Sequence, residues 1–98
     1  MRVRISQNAH NNILDVYDYL CDRHSERLAI DKVAKLYKDI DMLGDHPYMG
    51  KSIDGHDKNL RQFYSEPNII IYDIDENFDV LEILHIANGK ENYLERLI

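Results

Sequence analysis

Residues 2 to 6, Arg-Val-Arg-Ile-Ser, alternate basic and β-branched side chains, the two-residue period of a short strand with one face in a core. The period then changes. Ala9, Ile13, Val16, Tyr17 and Leu20 recur three and four residues apart, which predicts a helix capped by Ser6 or Asn8 and running to about Arg23. Ser25 is placed to cap a second helix, with Glu26 in its positive first turn. Ala29, Val33, Leu36, Tyr37, Ile40 and Leu43 form its apolar stripe, and Gly44 is the expected C-terminal stop. One or two polar residues around His24 and Ser25 join the helices, so they should fold back as a hairpin whose stripes need a sheet to cover.

Gly44 to Lys58 holds three of the four glycines and one of the two prolines and shows no sustained period, so it reads as a loop. Three strand-like runs follow: Asn59 to Ser65, Asn68 to Ile74 and Phe78 to Ala87. The connections, Glu66-Pro67 and Asp75-Glu76-Asn77, are short enough to make an antiparallel meander. Ile69 to Tyr72 is apolar without alternation, as in a central strand buried on both faces. Strict alternation in the last run places Val80, Leu84 and Ile86 on one face and Leu81, Ile83 and His85 on the other. Tyr93, Leu94 and Leu97 sit at helical spacing in a short tail from Gly89 to Ile98. The expected architecture is α+β, in the order β-α-α-β-β-β, with a helical hairpin packed on a small, mainly antiparallel twisted sheet.

With 98 residues and 44% hydrophobic content, the chain suits a single domain over residues 1–98; two would leave neither with a core. The longest apolar run is too short to cross a bilayer, and the N-terminus lacks the apolar stretch of an export signal, so a cytoplasmic protein is expected. Cys21 is the sole cysteine, which excludes an intramolecular disulfide, and it reads as a buried helical thiol. Charge narrows the function further. Residues 1–50 hold seven basic against eight acidic side chains and residues 51–98 hold five against ten, so the net −6 sits mostly in the second half. A general nucleic-acid binder gripping phosphates would carry a basic stripe instead.

The order of elements and the residues at their junctions resemble the RelE/ParE family of bacterial toxins from type II toxin–antitoxin modules. The resemblance covers nearly the whole chain. It rests on Leu43-Gly44-Asp45-His46-Pro47-Tyr48-Met49-Gly50 at the exit of the second helix, Leu60-Arg61 opening the second strand, Ile70-Ile71-Tyr72-Asp73-Ile74, and Val80-Leu81-Glu82-Ile83-Leu84-His85. It implies a protein that arrests growth when free and is neutralised by a cognate antitoxin of ParD or RelB type. Members similar to ParE poison DNA gyrase without being hydrolases, as plasmid-stabilising toxins; members similar to RelE cut messenger RNA on the ribosome. A toxin retained chiefly as co-repressor of its antitoxin is a third expectation. No membrane, cofactor or small-molecule substrate enters any of these readings.

RNA cleavage requires a group to take the 2′-hydroxyl proton, one to protonate the leaving oxygen, and positive charge against the developing phosphorane. Arg61, His85, Lys90 and Tyr93 are the candidates, catalytic only if the protein is an RNase. Arg61 is suited to donating two hydrogen bonds to one phosphate, His85 to exchanging protons near neutral pH, and Tyr93 to stacking a base. The set is sparse, and Asp54, Asp57, Glu82 and Glu91 would repel an RNA backbone, so the acidic half favours the gyrase reading. Each residue also has a plainer role: Arg61 as a solvated strand residue beside an acid, His85 as a hydrogen-bonded core or rim histidine, Tyr93 as packing. Tyr17, Tyr37 and Tyr72 read as core side chains whose hydroxyls need partners. His10, His24, His46 and His56 lack the paired spacing of a metal site, and Asp54-Gly55-His56-Asp57 reads as a turn.

Overall fold

A computed structural model of the chain describes residues 1–55 and 59–88. The elements are β1 (Arg2–Ile5), α1 (Gln7–Arg23), α2 (Glu26–Asp45), β2 (Lys51–Ser52), β3 (Leu60–Ser65), β4 (Asn68–Asp75) and β5 (Val80–Asn88). They form an α+β fold with one five-stranded sheet in the order β1-β5-β4-β3-β2. The β3-β4-β5 meander is antiparallel, as the short turns require, and β1 pairs with β5 in parallel. The two-residue β2, which falls in the segment expected to be loop, adds antiparallel to β3.

Both expected caps form. The Ser6 hydroxyl accepts from the Ala9 N–H at 3.0 Å and the Ser25 hydroxyl from the Leu28 N–H at 3.1 Å, satisfying donors that a helix start otherwise leaves open. The helical stripes then cover one sheet face: Ala9, Ile13, Leu36, Ile40 and Leu43 pack with Ile70, Tyr72, Ile74, Leu81, Ile83 and Ile86. Burying one such Leu or Ile side chain contributes about 1.5–3 kcal/mol, so this layer supplies most of the cohesion. Ile53, Leu60 and Ile71 make a smaller cluster with Ile69 and Leu84 on the other side.

Four expectations need correction. Gly44 does not stop α2 but lies within its last turn, where a β-carbon would come 2.7 Å from Val3 Cγ2; its role is to let the helix approach β1. Strict alternation fails in β5 because Tyr72 faces Ile83 while Ile71 faces His85, making Leu84 an extra residue in a β-bulge. Ile86 thereby joins Leu81 and Ile83 in the helix-side core, and Leu84 goes to the opposite cluster. Tyr37 is 40% exposed and Tyr17 only half-buried, because the apolar stripe of each helix is narrower than its three- and four-residue spacing suggested. Cys21 is likewise half-buried rather than enclosed.

Candidate functional site

The segment leaving α2, His46 to Gly50, is gripped from two strands. Tyr72, fully buried in β4, donates its hydroxyl hydrogen to the Pro47 carbonyl oxygen at 2.7 Å and accepts from the Gly50 N–H at 2.9 Å. Its neighbour across the ladder, Arg61 of β3, donates from Nη1 to the Gly50 carbonyl oxygen at 2.6 Å and lies 5.0 Å above the Tyr48 ring. The Tyr48 hydroxyl in turn hydrogen-bonds the Glu76 carboxylate in the β4–β5 turn. Burial pushes the Tyr72 hydroxyl above its ordinary pKa, against the opposing effects of the Gly50 N–H and the Arg61 charge. The hydrogen bond to Glu76 raises Tyr48, helped by burial and the Glu76 charge and opposed by Arg61. Both hydroxyls therefore stay protonated donors at neutral pH.

This grip presents an apolar rim. Tyr48 and Met49 are 51% and 55% exposed, and Tyr64 on β3 is 61% exposed. A shallow groove of about 310 Å³ runs between Met49 and Lys51 on one side and Phe63, Tyr64 and Ile69 on the other. Beside the Tyr48–Glu76 contact lies an acidic hollow lined by Asp73, Asp75 and Glu76, a poor seat for phosphate.

His85 occupies a different place. Pairing with β1 ends at Ile83, so among the described residues no strand lies outside residues 84–88 of β5, and α1 covers the backbone there with polar side chains. Ser6 Oγ and Asn8 Nδ2 donate to the Leu84 carbonyl oxygen at 3.1 and 2.9 Å, and Asn12 Oδ1 accepts from the Ile86 N–H at 3.0 Å. Asn8 Nδ2 also lies 3.1 Å from His85 Nδ1. His85 is 8% exposed and lines a groove of about 360 Å³ with Asn12, Tyr19, Lys32 and Pro67.

Of the four candidates for chemistry, Arg61 and His85 are thus described and are not brought together. They belong to β3 and β5 with β4 between, about 10 Å apart in strand spacing, and one side chain reaches the 46–50 segment while the other reaches α1. Lys90 and Tyr93 lie outside the described residues. The Arg61 guanidinium is engaged by the Gly50 carbonyl oxygen and the Tyr48 ring face, and among the described residues it forms no ion pair. His85 is buried, with Nδ1 in contact with Asn8. Sequence reasoning missed Tyr48, Gly50 and Glu76 as parts of a site. The available signal was Tyr72 itself, a phenol in an apolar run whose buried hydroxyl had to find partners.

Residues 3–93 match the family model for the ParE toxin of type II toxin–antitoxin systems, parDE. Over 95 residues the chain is 28% identical to Toxin ParE1 of Caulobacter vibrioides, covering 93% of this chain and 95% of that protein. The fold is similar to a chain from the chromosomal ParDE TA system of P. aeruginosa, with a TM-score of 0.78 at 15% identity, over 92% of this chain and 97% of that one.

Proposed function

Because the chain belongs to the ParE toxin family of type II toxin–antitoxin systems, we propose that it arrests growth by binding and inhibiting DNA gyrase, and that a cognate antitoxin of ParD type neutralises it in the cytoplasm. The observation that supports a binding rather than an RNA-cleaving mode is the engagement of Arg61: its Nη1 donates to the protein's own backbone at Gly50 and its guanidinium lies over the Tyr48 ring. The acidic hollow at Asp73, Asp75 and Glu76 and the net charge of −6 further disfavour an RNA backbone there. No helix among the described residues is long and apolar enough to cross a membrane, in keeping with a cytoplasmic target.

In this reading the rigid Tyr48–Met49 rim contributes to binding, since aromatic side chains held in one conformation lose little entropy on association. The test is to free purified toxin of its antitoxin and assay gyrase supercoiling beside translation of a reporter message. Supercoiling should fall while translation continues. Intact supercoiling with arrested translation would overturn the proposal and return Arg61, His85, Lys90 and Tyr93 to a catalytic role on messenger RNA.

A further inference from the structure

The turn between β4 and β5 carries Phe78, at 76% the most exposed large apolar side chain among the described residues. This turn is tied on both sides. Asp75 Oδ1 accepts from the Asn77 and Phe78 N–H groups at 3.1 and 3.2 Å, and the Asp79 carbonyl oxygen accepts from the Arg2 N–H at 3.1 Å. Glu76, in the same turn, accepts the hydroxyl of the half-exposed Tyr48. Two aromatic side chains thus stand at one end of the sheet on backbone that is fixed before a partner arrives. Carboxylates surround them. Asp75 and Glu76 line a hollow of about 340 Å³ with Asp73, and Asp79 is exposed next to Phe78. The ion pairs among the described residues, Arg4–Glu82 and Lys35–Asp39, include none of Asp75, Glu76 and Asp79. Like charges so gathered repel one another and the Phe78 ring buries little in the fold, so a cationic partner relieves both.

We propose that this end of the sheet, with Phe78 at its centre and Glu76 and Asp79 beside it, is the surface that docks on gyrase, and that it meets a basic, lysine- and arginine-bearing face there; the inference rests on the gyrase reading above. Charge complementarity selects this occupant. An enzyme that acts on DNA carries basic surface to neutralise phosphates, and the acidic turn that repels a nucleic-acid backbone is attracted to such a surface. The aromatic rings ask for the same partner, because a ring face attracts guanidinium and ammonium groups, as Arg61 over Tyr48 illustrates within this chain. A second copy meeting this turn with its own would oppose carboxylate with carboxylate.

The experiment measures binding of purified, antitoxin-free toxin to purified gyrase by surface plasmon resonance, with salt varied and with heparin as a soluble polyanion. Affinity should fall about tenfold from about 0.05 to about 0.2 M salt, and excess heparin should displace the toxin. The double variant Glu76→Gln/Asp79→Asn removes two charges, keeps an acceptor for Tyr48 and places asparagine, which tolerates positive φ, where φ is 55°. It should bind about tenfold more weakly, chiefly through slower association, and respond less to salt. Phe78→Ala should also bind about tenfold more weakly, through faster dissociation, and neither variant should change the melting temperature. Parental affinity in both folded variants, or binding by the parent that neither salt nor heparin weakens, overturns the inference and leaves the gyrase reading standing. Loss of antitoxin binding in the variants with gyrase binding intact assigns the turn to the antitoxin and also overturns it. A parent toxin that fails to bind gyrase at all sinks the gyrase reading, and the inference with it.

Discussion

Gly50 packs so closely on Tyr72 that a β-carbon would overlap the phenol oxygen, and it would also stand 2.8 Å from the Gln62 carbonyl oxygen. The backbone N–H of Gly50 donates to that same phenol oxygen, so one atom of Tyr72 both excludes a side chain and holds the main chain. The short segment between α2 and β2 is thereby fixed to the middle of β4, more than twenty residues further along the chain.

Gly50→Ala should destabilise the protein by roughly 1–3 kcal/mol through overpacking against a buried ring and backbone that cannot retreat. Tyr72→Phe should cost roughly 1–3 kcal/mol for a different reason, because the Pro47 carbonyl and Gly50 N–H are left without their partner. Urea titration of the two variants and of the double variant distinguishes the causes. The double variant should lose less than the two costs added, since removing the hydroxyl relieves the overlap.

Tyr72 also predicts a response to alkali. Its folded pKa lies above the ordinary value because burial penalises the phenolate. Its contribution to stability is therefore complete below the unfolded pKa of about 10 and is lost as pH rises through the folded value. Urea midpoints measured between pH 8 and 11 should fall at the alkaline end, and less steeply for Tyr72→Phe.

Arg61→Lys should preserve charge yet loosen the 46–50 segment, since a lysine ammonium cannot donate to the Gly50 carbonyl oxygen and lie flat on Tyr48 at once. A cost of about 1–2 kcal/mol is expected from a charged, partly exposed hydrogen bond. Amide exchange at Met49 and Gly50 should accelerate by about tenfold while that of the β4–β5 ladder stays unchanged.

Asp39 on α2 ties the helix to β3: it accepts from the buried Ser65 hydroxyl at 2.5 Å and from Lys35 Nζ at 2.9 Å. Burial pushes its carboxyl up, but the hydrogen bonds from Ser65 and Lys35 and the charges of Lys35 and Lys38 together leave it below the ordinary value. Its contribution is thus present above the unfolded pKa of about 3.9 and is lost as pH falls through the folded value. Asp39→Asn should cost about 1 kcal/mol at pH 7. The difference from the parent protein should shrink toward zero by pH 2, as urea midpoints at the two pH values would show.

Asn12→Ala should leave the buried Ile86 N–H without its acceptor at the open part of β5 and cost roughly 1–3 kcal/mol. Asn12→Asp retains an acceptor oxygen and should cost less. In a domain of this size 1 kcal/mol moves the melting temperature by about 4–8 °C, well within the reach of calorimetry.

Much of this protein is written in local pattern. The alternation at Arg2 to Ser6, the stripes through Ile13 and Leu36, the caps at Ser6 and Ser25 and the unbroken apolar run at Ile69 to Tyr72 each determine an element from residues within a few positions of one another. Their order, with the junction residues around Pro47 and Gly50, was enough to point to the RelE/ParE toxins. The site was not legible in the same way. Arg61 was singled out for its charge, but its partners are the backbone of Gly50 and the ring of Tyr48, which only the pairing of β2 with β3 brings within reach.

The sequence by itself therefore determined the helices, the four longer strands and the family, but not the two-residue β2, because periodicity and capping depend on the chain's immediate neighbours and need no knowledge of the rest. The tertiary structure alone decided the bulge at Leu84, the close approach at Gly44 and the grip of Tyr72 on Pro47 and Gly50. In each, the deciding contact joins residues far apart in the chain. A buried hydroxyl or an extra strand residue declares a need through its own chemistry, and which group meets that need depends on how the helices and sheet have packed.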